Sequence, residues 1–185
     1  MKRIIAIMLC ALALFALAGC NKEKKTEYMP HYDEAGVYDG FDGISENYSA
    51  DKAIADGCLV VEVSDDNAAE VSGTEVWHGF LSSALEREES AFLRIVYYVD
   101  GTVTCEDLYF ADGRYMMFSL TDGEVTKKAD FTELRMLESE DATDAFYVLT
   151  DSTDLTYEDA VDQLASSSAD AVKFEFLPFT FYIAG

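Results

Sequence analysis

Three Asp-Gly pairs, Asp100-Gly101, Asp112-Gly113 and Asp122-Gly123, punctuate β-prone residues from Ala91 onward, and they limit the fold more than any other feature of the chain. An Asp-Gly pair between apolar runs favours a type I′ turn, whose two central residues both need φ > 0, and such a turn closes a two-residue hairpin. Ala91 to Leu120 therefore reads as an antiparallel meander. A two-residue turn also sets the register. Across the first hairpin Val99 faces Thr102, Val96 faces Cys105 and Arg94 faces Asp107. Across the second, Tyr109 faces Met116, Asp107 faces Phe118 and Cys105 faces Leu120.

This register sorts the side chains. One face carries Phe92, Val96, Tyr98, Val103, Cys105, Tyr109, Met116, Phe118 and Leu120. The other carries Leu93, Ile95, Tyr97, Val99, Leu108, Phe110 and Met117, interrupted by Thr102, Thr104, Glu106 and Ser119. Neither alternates cleanly to polar, as a sheet with one wet side would, so both are at least partly covered. The expectation is helices on the first face, with the linker or the C-terminal segment over part of the second.

The flanks supply further elements. Ser49 caps a short helix from Ala50 to Asp56 that stops at Gly57, and Cys58 to Val63 reads as a strand. A second helix spans about Thr74 to Glu88, with Trp77, Phe80, Leu81, Ala84 and Leu85 in or beside an apolar stripe. Glu124 to Lys128 returns as a fourth meander strand, and Phe146 to Thr150 is a later one; Leu134 to Asp144 between them is acidic and unpatterned. Thr156 and Asp159 form a capping box that opens a helix from Tyr157 to about Ser166. Val172 to Ala184 reads as two edge strands joined at Pro178, because proline cannot donate to a ladder. The fold class is α+β: an antiparallel meander sheet of about five to seven strands with two or three short helices.

The N-terminus sets a location. Lys2 and Arg3 precede an apolar run from Ile4 to Ala18, too short for a membrane span and closed by small residues, which is a secretory leader. Leu17-Ala18-Gly19-Cys20 resembles the bacterial lipobox, whose family is cleaved before a diacylglyceryl-modified cysteine. The resemblance implies residues 1–19 as lipoprotein signal peptide and Cys20 as the lipidation site. An anchor of two or three acyl chains, each gaining about 0.8 kcal/mol per buried methylene, holds a protein on a membrane stably. Residues 20–48 read as lipidated tether and flexible linker, since their aromatics follow neither period 2 nor 3.6, and 49–185 as a single domain.

The formal charge of -23 becomes more negative once Lys2 and Arg3 leave with the leader. Such a surface disfavours nucleic acid and bare anionic membrane, and favours a cationic protein, peptide or cell-wall partner. Arg94 with Asp107 is the one ion pair the register puts on an apolar face, readable as a structural cross-strand pair or as a carboxylate-binding arginine. Cys58 and Cys105 could form a disulfide if their strands are close, or serve as two small buried residues.

His31 and His78 have no metal-ligand spacing, and no Gly-x-Ser-x-Gly elbow accompanies His78. The acidic clusters at Asp39 and Asp42, at Glu138 to Asp144 and at Asp151 to Asp159 lack the calcium-loop frame. No cofactor is implied. The leading reading is a non-enzymatic binding or interaction module; the alternative is an extracytoplasmic hydrolase using carboxylate acid/base chemistry.

Ala53 to Val61, Leu93-Arg94-Ile95-Val96-Tyr97-Tyr98, and Asp107-Leu108 with Phe110 and Asp112-Gly113 resemble an uncharacterised family of lipoproteins from Gram-positive bacteria, over about Ser49 to Thr150. The resemblance implies a location and a fold type, and no activity. That family often has a cysteine soon after its last strand, which Thr150 to Asp154 lacks, so no disulfide is carried over.

Overall fold

The computed structural model describes residues 27–45, 47–63, 69–86, 90–166 and 172–179. The expected leader, Cys20 and the expected tether to residue 26 lie outside the described residues. In chain order the elements are α1 (Ala50–Ala55), β1 (Leu59–Val63), β2 (Ala69–Ser72), α2 (Thr74–Leu85), β3 (Ala91–Val99), β4 (Thr102–Ala111), β5 (Arg114–Thr121), β6 (Glu124–Phe131), β7 (Glu133–Glu138), β8 (Ala145–Thr150), α3 (Tyr157–Ala165) and β9 (Phe176–Pro178). The strands form a six-stranded sheet, order β2-β1-β3-β4-β5-β6, and a three-stranded sheet, β7-β8-β9. The fold is α+β.

The meander follows its turns. Asp100, Asp112 and Asp122 have φ of 50°, 52° and 51°, and the glycines after them 77°, 74° and 77°, as type I′ requires. All six of the expected pairings, Arg94 with Asp107 among them, are present. β6 continues the meander, with a bulge opposite Met117 and Phe118. The sheet is not wholly antiparallel: β1 runs parallel to β3, Leu59 beside Ile95, and α2 lies in the connection. Parallel neighbours need a crossover, and α2 supplies it.

The helices obey their local signals. Ser49 Oγ accepts from Lys52 N at 3.3 Å, and Thr156 Oγ1 from Asp159 N at 3.1 Å. On α2, Trp77, Phe80, Leu81 and Ala84 are buried, while Leu85 faces solvent.

The covering of the sheet agrees with expectation in part: the first helix lies on the first face and the C-terminal segment on the second, but the long helix and the linker have exchanged faces. The face with Leu93, Ile95, Leu108, Phe110 and Met117 packs against α2, against Leu134 and Leu149 of the second sheet, and against Phe179. The first face instead receives residues 27–48, here called the strap, together with α1: Tyr38, Phe41, Tyr48 and Ala53 join Cys58, Val60, Val96, Cys105, Tyr109 and Phe118 in one buried cluster. Where a flexible linker was expected, the described part of this stretch is docked. The physical reason is that a strap lying across a sheet needs only a few well-placed rings, and no backbone period.

β7 also lies where no pattern was visible. Leu134, like Leu149 and Leu177, faces the main core, while Leu137 faces a smaller cluster with Val148, Leu155 and Ala160. A strand apolar on both sides shows no alternation. β9 ends at Pro178 and pairs with β8, and Phe179 turns into the core.

Candidate functional site

The strap is fastened by a buried polar latch built on the predicted cross-strand pair. Asp107, on β4, is completely buried. Its Oδ1 accepts from Arg94 Nε and its Oδ2 from Arg94 Nη2, both at 2.6 Å. The Tyr38 hydroxyl donates to Oδ2 at 2.5 Å and lies 2.9 Å from the Tyr109 hydroxyl. Tyr38 has one proton and gives it to the carboxylate, so Tyr109 donates to Tyr38. Arg94 Nη2 donates a further bond, 2.7 Å, to the Gly40 carbonyl. Strap and sheet thus share one satisfied network, as burial of polar groups demands.

The electrostatics agree with that geometry. Burial, and then the Asp107 carboxylate, push the Tyr38 hydroxyl far above its ordinary range. Burial pulls the Arg94 guanidinium down, but Asp107 outweighs it, so the arginine stays charged. The pair therefore fastens strap to sheet, with three of the five Arg94 N–H groups spent on Asp107 and Gly40.

Rings surround the latch. Tyr38 stacks on Phe118 with centroids 4.0 Å apart and 9° between planes, and Phe41 meets Tyr38 edge-on at 5.2 Å. The Arg94 guanidinium lies 5.4 Å from the Phe41 ring. Tyr48 holds the far end of the strap: its hydroxyl donates to Asp56 at 2.8 Å, and its carbonyl accepts from the Tyr98 hydroxyl at 2.8 Å.

Between the docked strap and the turns at Gly101 and Asp122-Gly123 a cleft of about 760 Å³ opens. Its apolar lining includes Phe41, Ile44, Val103, Cys105, Leu120 and Val125, and its carboxylates are Asp39, Asp42 and Asp122. The volume lies in the range of small-ligand and peptide-side-chain sites. Asp39 also sits 2.8 Å from His31 Nδ1. No family model, curated protein or solved structure matches the chain. The site is therefore described by its own geometry alone.

Cys58 and Cys105 are both buried and both free, so the disulfide that their sequence positions allowed is not formed. β3 separates their strands: Cys105 faces Val96, and Val96 faces Val60, two residues past Cys58. Two strand spacings amount to about 10 Å, beyond the reach of about 7 Å between bonded cysteine Cα atoms. Burial pushes the Cys105 thiol up to about 11, with Arg94 pulling weakly the other way. It pushes Cys58 up as well, against the Tyr48 hydrogen bond.

Neither thiol is expected to react with an aromatic disulfide reagent in the folded protein at pH 8, whereas both should react in urea. The unfolded Cys105 thiol ionises near its ordinary value of 9.0 and the folded one near 11, so between those values the folded chain holds the extra proton. Its contribution to stability is complete below pH 9 and is lost as pH rises toward 11. A urea midpoint that falls over this window less steeply in Cys105→Ser than in the parent checks the sign.

Glu106 projects from the opposite face, where burial raises its carboxyl against the influence of Lys128 and Tyr97. It lies across the sheet from the cleft. Among the described residues no three His, Cys, Asp or Glu side chains are grouped to hold a metal ion. Apart from Asp122, which the sequence shows only as a turn residue, the site residues missed by periodicity are on the strap. The signal that could have found them is the repeat Tyr38-Asp39-Gly40 and Phe41-Asp42-Gly43, which puts a ring, an acid and a glycine on each of two turns.

Proposed function

We propose that this chain is a lipoprotein anchored through acylated Cys20 to the outer surface of the cell membrane, and that its domain is a non-enzymatic binding module for a cationic partner, a basic peptide, protein segment or cell-wall fragment. The observation that carries the reading is the cleft, where Asp39, Asp42 and Asp122 meet an apolar lining that includes Val103, Leu120 and Val125. Carboxylates beside an apolar lining select a cation with an apolar body over a bare ion. The formal charge of -23 draws such ligands in and repels anionic ones. Nothing in the site pairs a buried acid with a free base, since Asp107 is already engaged by Arg94 and Tyr38.

The test is calorimetric titration with a short peptide alternating lysine and leucine. Neutralising the cleft carboxylates as Asp39→Asn, Asp42→Asn and Asp122→Asn together is expected to weaken binding about tenfold, or about 1.4 kcal/mol. Raising salt to ~0.5 M should weaken the parent by a similar factor and the variant little. Equal affinity in parent and variant, or no binding, refutes the cleft as the site. The anchor is checked separately by the intact mass of the membrane-extracted protein, which carries the acyl groups on Cys20 and lacks residues 1–19.

A further inference from the structure

We infer that the start of the strap, Tyr28, Met29 and Tyr32, is a membrane-contact surface that rests in the lipid–water interface beside the anchor. The inference builds on acylation of Cys20 and adds a contact made by the folded domain itself. Apolar side chains this large are normally scattered over a surface, yet Tyr28, Met29, Tyr32 and Val37, exposed at 39%, 44%, 44% and 51%, fall within ten consecutive residues. These are the first described residues after the tether. From Cys20 to Glu27 the chain spans seven residues, at most about 25 Å when extended, so this corner cannot stand far from the bilayer.

The strap holds these side chains in place. Tyr28 N donates to Ser90 Oγ at 2.7 Å, and the Tyr28 ring stacks beside Phe92 at 6.0 Å. Tyr32 meets Phe118 edge-on at 6.0 Å. An amphipathic ring with a hydroxyl suits the headgroup level of a bilayer, and tyrosine is enriched there. The charge nearby also permits the contact. Asp33 turns its carboxylate into its own loop, accepting from Ala35 N at 2.9 Å and Val37 N at 2.8 Å. The sequence between Cys20 and the strap also carries three lysines, Lys22, Lys24 and Lys25, whose charge favours lipid phosphates. Glu27, Glu34 and the acidic domain oppose deep insertion, so the contact is shallow and is made with zwitterionic lipid. Because the same strap walls the cleft, this contact sets the height of the cleft above the membrane.

The experiment oxidises the full-length acylated protein with dilute peroxide in phosphatidylcholine vesicles. It follows Met29 sulfoxide by mass spectrometry, with Met136, exposed at 49%, as the internal reference. The comparator is unacylated protein lacking residues 1–20, with the same vesicles. The expected result is a Met29 to Met136 rate ratio about fivefold lower in the acylated protein. Tyr28→Ser, which leaves the latch intact, should restore most of the lost Met29 rate. Equal ratios in an acylated sample and the comparator overturn the inference while leaving the lipoprotein reading standing. An intact mass showing Cys20 unmodified overturns both.

Discussion

Asp107→Ala is expected to destabilise the fold by about 3–5 kcal/mol, the cost of leaving a buried ionic partner uncompensated. The substitution strips Arg94 of two charge-assisted hydrogen bonds and Tyr38 of its acceptor in one step. For a chain of this size that corresponds to a melting temperature lower by roughly 10 °C. Scanning calorimetry measures it, and a loss below about 1 kcal/mol would show that the latch is not desolvated as described. Replacing the ion pair and its tyrosine donor together, with Arg94→Met, Asp107→Leu and Tyr38→Phe, should recover much of that loss, since a buried pair and an apolar replacement of like volume are close in energy. The remainder falls on the Tyr109 hydroxyl and the Gly40 carbonyl, which lose their partners. That triple variant separates the cost of an orphaned charge from the worth of the pair.

Gly40→Ala is the second large effect, and it acts on the strap. A Cβ at Gly40 would stand 2.0 Å from the Tyr38 hydroxyl oxygen and 2.3 Å from Cζ, and Tyr38 cannot retreat because Phe118 and Asp107 hold it from the other side. Overpacking of this kind costs about 1–3 kcal/mol when the neighbour yields and more when it does not. The expected outcome is a strap that leaves the sheet while the meander stays folded. Limited proteolysis should cut within residues 27–48, strand content by circular dichroism should persist, and the cleft should lose its affinity for the basic peptide. A variant that resists protease like the parent would mean that Tyr38 can move and the contact is soft.

The meander was legible because each Asp-Gly pair makes a local demand, φ > 0 at two adjacent residues, that few other conformations satisfy. From those turns the Arg94–Asp107 pairing followed by counting. That the strap covers the first face, and the long helix the second, was not legible. Tyr38, Phe41 and Tyr48 are spaced irregularly, and their burial depends on what they meet across the chain. The β7 segment hid for a related reason: Leu134 and Leu137 are buried on opposite faces of the strand, so the sequence shows neither alternation nor a continuous apolar run. The cleft was invisible too, since its walls come from the strap and from two turns separated by about twenty residues. Its rim acids Asp39, Asp42 and Asp122 look like any others in a chain with 36 of them.

The bond between Tyr38 and Asp107 joins residues 69 positions apart, and this bears on how the molecule is made. The strap leaves the ribosome among the first described residues, but the surface it covers does not exist until β4 and β5 have followed it. What is synthesised first therefore cannot settle until those strands are paired, after a loop closure that only the completed hairpins reward. Until then Phe118, Tyr109 and Val96 stand open to other chains, and that interval is when a nascent copy is most exposed to aggregation.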